Sequence, residues 1–152
     1  MTKDEIVGEK ARTVIKGNYI SVPYYHHITP LAGTGADILD CSPDGTYYLP
    51  PTMFKLKTAD DIAILFAKGD SMYLYIKGGD GILVNFNETM LSVEATYLIR
   101  WRNTLLIKDI QKIPNGMRLI SRNPAYESII LTGETVNEVR IVGRILGSFC
   151  TY

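Results

Sequence analysis

The feature that most constrains this chain is its punctuation. Short runs rich in β-branched and aromatic residues follow one another from residue 19 onward, and turn signals separate them. The runs at 19–28, 62–67, 82–86, 96–101, 105–110, 117–121, 129–131 and 139–146 read as strands. The turns carry their own chemistry. Ser42-Pro43-Asp44-Gly45 and Pro114-Asn115-Gly116 combine a proline-fixed dihedral with a glycine or asparagine that tolerates positive φ, and Thr132-Gly133-Glu134 separates the last two runs. Arg102-Asn103 is a hairpin turn into Leu105. Short strands with turns every ten or so residues specify a mostly-β fold. A short strand is also expected over 37–41, and Pro23 favours an edge position for the first run.

The first 18 residues differ from the rest, being polar and mixed in charge. Residues 4–16 have a weak helical face of Ile6, Val7, Ala11, Val14 and Ile15, stopped by Gly17-Asn18. That is too short for a helix-turn-helix domain, so 1–18 reads as a linker or tail and 19–152 as one domain.

Composition excludes several function classes. Lys+Arg and Asp+Glu each total 16, so the chain by itself lacks the basic excess that grips nucleic acid. No apolar run approaches the roughly 18 residues that span a bilayer, and the polar start is no signal peptide, so a cytoplasmic protein with no membrane partner is expected. Cys41 and Cys150 lie far apart, as free thiols would. His26 and His27 are adjacent, so on a strand they face opposite ways, and no further Cys/His cluster joins them. Neither a metal nor another cofactor is expected.

The stretch that carries chemistry is Gly69-Asp70-Ser71-Met72, followed by Gly78-Gly79-Asp80-Gly81. Ser71 in a tight turn has two readings: a hydrogen-bonded turn serine, or a nucleophile. A nucleophilic serine needs a base, and neither histidine is tied locally to Ser71. Lys108 closes the apolar run Leu105-Leu106-Ile107 and can serve if it is kept neutral. Moving a lysine from its reference pKa of about 10.4 to neutrality takes roughly 4–5 kcal/mol, which burial can supply. Asp109 would oppose this, except that adjacent strand residues point to opposite faces. Backbone N–H groups of the Gly69-Asp70-Ser71-Met72 turn are placed to support an oxyanion. The glycine loop Thr29-Pro30-Leu31-Ala32-Gly33-Thr34-Gly35 is either a plain connection or a flexible segment that presents the Ala32–Gly33 bond.

These elements, in this order, resemble a known family. Gly69-Asp70-Ser71-Met72, then Gly79-Asp80 with Ile82-Leu83-Val84, Tyr97-Leu98-Ile99-Arg100 and Ile107-Lys108, are similar to the LexA and phage CI-type repressors. Ser121-Arg122-Asn123-Pro124-Ala125-Tyr126, the closing Val139-Arg140-Ile141-Val142-Gly143, and Val22-Pro23-Tyr24 with Leu31-Ala32-Gly33 resemble the phage-repressor branch. The likeness covers residues 20–149. It implies a LexA-like, signal-peptidase-like β-rich fold of short, bent strands. It implies that Ser71 attacks the chain's own Ala32–Gly33 bond with Lys108 as general base. It further implies a homodimer or higher oligomer, a RecA filament as co-protease during an SOS response, and DNA contact through a separate N-terminal domain missing here. The chain departs from the pattern at Tyr73-Leu74, where the family often has an acidic residue and proline, and at Asp109, where it often has arginine. The absent upstream domain leaves open a UmuD-like accessory of a DNA polymerase, and a dimerisation module without catalysis.

Overall fold

The computed structural model describes residues 14–16, 19–27, 35–53 and 60–150. Ala32 and Gly33 lie outside the described residues, as do 1–13. The described strands are β1 (Val14–Lys16), β2 (Tyr19–Tyr25), β3 (Gly45–Leu49), β4 (Ile62–Phe66), β5 (Gly81–Asn85), β6 (Ala95–Trp101), β7 (Thr104–Ile113), β8 (Gly116–Ile120), β9 (Ile129–Thr132) and β10 (Val139–Phe149). They form one sheet in the order β1-β2-β4-β5-β10-β6-β7-β8-β9, with β3 paired to the free side of β2. The β2–β4 pairing is parallel, through Tyr24–Ile64 and Tyr25–Leu65. The other described pairings are antiparallel.

β10 ties the halves of the sheet together. Its first part pairs with β6 and its last part with β5, and the register shifts at Ile141/Gly143 and Ile145/Gly147. Such bulges bend a strand, which lets one strand serve two neighbours. Gly143 is required at the first of them: a Cβ there would lie 2.7 Å from the Val84 side chain and 2.8 Å from the Asn85 carbonyl oxygen. The cores divide accordingly. Ile64, Leu65, Leu83 and Val84 are buried in the β2–β4–β5 half, and Tyr97, Ile99, Ile110 and Leu119 in the β6–β9 half.

Three local expectations need correction. Residues 35–39 form a short helix, α1, where a strand over 37–41 is expected. Ile38 and Leu39 are adjacent and both pack on the core, which a strand's alternation does not allow. Val14–Lys16 is a strand on β2, not the end of a helix. Pro23 lies inside the sheet and not on its edge. β1 covers β2 through Ser21 and β4 begins at Tyr24, so the proline falls between these pairings, where no N–H is needed on that side. The Arg102-Asn103 turn forms as expected, both residues having positive φ (49° and 61°). The Gly133 turn continues as a 3-10 helix over Gly133–Glu138. Among the described residues, no helix is long and apolar enough to cross a membrane.

Candidate active site

Ser71 sits on the excursion between β4 and β5. The excursion is closed at its base like a continued hairpin: Ala67 N–H donates to the Asp80 carbonyl and Gly79 N–H to the Ala67 carbonyl, each at 2.9 Å. Asp80 is 4% exposed, and its carboxylate accepts from the Lys77 N–H at 2.9 Å. The Gly79-Asp80 element therefore closes the loop that carries the serine. Gly69 enters the turn at φ +79°, and Tyr73, Tyr75 and Ile76 donate back to Asp70, Met72 and Met72 respectively. Met72 and Ile76 are buried and anchor the turn to the core. Among the described residues, the N–H groups of Ser71 and Met72 are not spent on another backbone carbonyl.

Lys108 is placed by strand register. On β7 it lies opposite Tyr97 of β6, and it is 5% exposed. Burial holds its amine below the ordinary lysine pKa. Asp109 takes the other face, as alternation requires. Its carboxylate accepts from Arg122 Nε at 2.6 Å and from the Thr96 hydroxyl at 2.5 Å. The carboxylate beside the lysine in sequence is thus engaged elsewhere.

The Lys108 amine donates to Ser121 Oγ at 2.6 Å, not to Ser71. Ser121 opens the segment between β8 and β9, and that segment grips both predicted site residues. Asn123 N–H donates to the Ser71 carbonyl, and Asn123 Nδ2 to the Asp70 carbonyl, each at 2.9 Å. The Tyr126 hydroxyl donates to the Asp70 carboxylate, which raises the pKa of that phenol. The Tyr126 ring centroid lies 5.6 Å from Lys108 Nζ. Ser121, Asn123 and Tyr126 carry no predicted site role. A usable signal exists in the Pro114-Asn115 turn: counting back along both strands from it sets Asp109 opposite Ile120. Lys108 is then opposite Ser121.

Beside the serine lies a cleft of about 380 Å³. Its walls come from the end of β4 (Leu65, Phe66) and the start of β7 (Leu105, Ile107), with Ile82 and Leu98 between, and Gly69 and Ser71 at its polar side. His26 reaches this cleft and stacks on Phe66, with centroids 4.2 Å apart. Tyr25 also lines it; its buried hydroxyl has no partner among the described residues, and burial pushes its pKa up to about 12. Among the described residues, no group of three or more His, Cys, Asp or Glu side chains is arranged to hold a metal.

A β-rich domain with a serine turn, a buried lysine and an apolar cleft between strand ends is a serine-peptidase type of architecture. The chain belongs to the Peptidase S24-like family, whose model matches residues 26–146. It is 29% identical over 89 residues to an uncharacterized HTH-type transcriptional regulator of Haemophilus influenzae, covering 58% of this chain and 37% of that protein. It is 24% identical over 94 residues to the 26 kDa repressor protein of Escherichia phage HK022, covering 62% of this chain and 40% of the repressor. The matched region thus spans about two fifths of the length of these relatives. The family and both relatives accord with the LexA and phage CI-type likeness.

Proposed function

We propose that this chain is the self-cleaving, oligomerising C-terminal part of a phage-type transcriptional repressor. The observation that carries the reading is the segment 121–126, which ties the Ser71 turn, at the polar side of an apolar cleft, to a buried lysine of lowered pKa. In this reading the bond cleaved is Ala32–Gly33. Neutral Lys108 takes the Ser71 hydroxyl proton as Oγ bonds to the Ala32 carbonyl carbon. The N–H groups of Ser71 and Met72, with the Gly69-Asp70 turn behind them, stabilise the oxyanion. Lys108 then gives the proton to the Gly33 nitrogen as the Ala32–Gly33 bond breaks, leaving an acyl ester on Ser71. Water, deprotonated by Lys108, hydrolyses the ester, releasing the Ala32 carboxylate and restoring the serine. A tethered substrate suits a modest nucleophile, because its effective concentration is very high.

In this reading the domain pairs with a second copy, a RecA filament promotes cleavage, and DNA is held by a separate N-terminal domain. The names of the two relatives support the repressor assignment. The bond from Lys108 to Ser121 favours a second reading, a dimerisation module with an idle site. One experiment decides. The chain is incubated at alkaline pH and followed by intact mass. Fragments that end at Ala32 and start at Gly33, absent in Ser71→Ala and Lys108→Ala, are expected. A chain that stays whole, even with an activated RecA filament present, leaves the idle module.

A further inference from the structure

We propose that Ser121 is the positioning residue for Lys108, fixing the direction in which its amine can accept a proton. The proposal rests on the self-cleavage reading above. A neutral amine has two N–H bonds and one lone pair. With one N–H committed to Ser121 Oγ at 2.6 Å, the lone pair is restricted to the remaining directions around Nζ, away from Ser121. Without that anchor, a flexible four-carbon stem would leave the lone pair undirected.

The surroundings of Lys108 leave this task to Ser121. On β6 it faces Tyr97, whose hydroxyl is already committed to the Val93 carbonyl at 2.7 Å. Tyr126 presents its ring face at 5.6 Å and spends its hydroxyl on Asp70, the carboxylate of the serine turn. Asp109 and Arg122 pair on the opposite face of β7. The position of Ser121 is itself over-determined. It follows directly on β8, whose register with β7 brings it opposite Lys108. Two residues later Asn123 is bonded to Ser71 and Asp70. The group that orients the base is thus joined by a rigid two-residue link to the group that holds the nucleophile.

The test uses the whole chain in two backgrounds. In Ser71→Ala, which cannot cleave, the Lys108 amine is titrated by NMR of its Cε and Nζ nuclei. Replacing Ser121 by alanine removes an acceptor of the ammonium, so the titration midpoint is expected to move to lower pH, and Ser121→Thr to restore it. With Ser71 present, the alkaline plateau of the self-cleavage rate is expected to fall by about tenfold to a hundredfold in Ser121→Ala and to recover in Ser121→Thr. An unmoved midpoint, or an unchanged plateau, overturns the proposal. If Ser121→Ala does not fold, Ser121→Cys keeps the volume with a weak acceptor and carries the same measurements. If the Ser71 parent never cleaves, the self-cleavage reading fails, and the titration in Ser71→Ala alone still judges the bond to Ser121.

Discussion

Ser71 sits on an excursion between β4 and β5 that has no strand register, whereas Lys108 sits within β7, between β6 and β8. The serine turn depends on a positive-φ glycine, two buried anchors and hydrogen bonds from residues some fifty positions later. The lysine depends on alternation and on two hairpin turns. A site divided this way has a rigid side and a held side. The rigid side can be damaged through the core of its half of the sheet. The held side can be loosened by cutting a few bonds, with that core untouched.

The largest effect should come from the rigid side. Ile99 is fully buried beside Tyr97, and Ile99→Ala is expected to cost about 2–5 kcal/mol in urea unfolding. A loss under about 1 kcal/mol would mean that this half of the sheet repacks freely, and the contrast would fail. A smaller effect is expected at the link. Asn123→Ala removes the bond to the Asp70 carbonyl and should cost about 1 kcal/mol. Its distinguishing result lies in hydrogen exchange: amides at 73–76 should exchange faster while those of β7 hold. Equal acceleration in both regions would erase the distinction. The smallest effect concerns the back of β7. Arg122→Leu removes a partly exposed ion pair to Asp109, which keeps its bond from Thr96, and a contact with the Tyr75 ring at 4.4 Å, and should cost only about 0.2–1 kcal/mol. The Lys108 titration should stay where it is, because the carboxylate is on the other face. Movement of that titration would show that Asp109 reaches the lysine after all.

The same contrast explains what was legible in the sequence. Strands, the Arg102-Asn103 turn and the inward aim of Lys108 follow from local rules of alternation and turn chemistry, and they were readable. So was the separation of Lys108 from Asp109. The serine turn was recognisable as a motif, but its supports were not, since Met72, Asn123 and Tyr126 act across long stretches of chain. Ser121 fell between these cases: its place opposite Lys108 follows from hairpin register, yet only once the Pro114-Asn115 turn is taken as the fixed point. A strand over 37–41 is expected where a helix over Gly35–Leu39 forms, because so short a segment with two adjacent apolar side chains carries too little periodicity to separate the two. Val14–Lys16 reads as the end of a helix in sequence because a three-residue strand exists only through its pairing with β2.

The most direct test of the proposed Ser71–Lys108 chemistry is the first-order rate at which the intact chain disappears as a function of pH. The cleaving form needs a neutral Lys108. Burial lowers its folded pKa, so the rate should rise with pH through a midpoint below the usual lysine value of about 10.4 and then level off. Lys108→Ala should remove both the rise and the plateau. A chain that remains intact across the whole range, or a Lys108→Ala variant that cleaves with the wild-type profile, would contradict it.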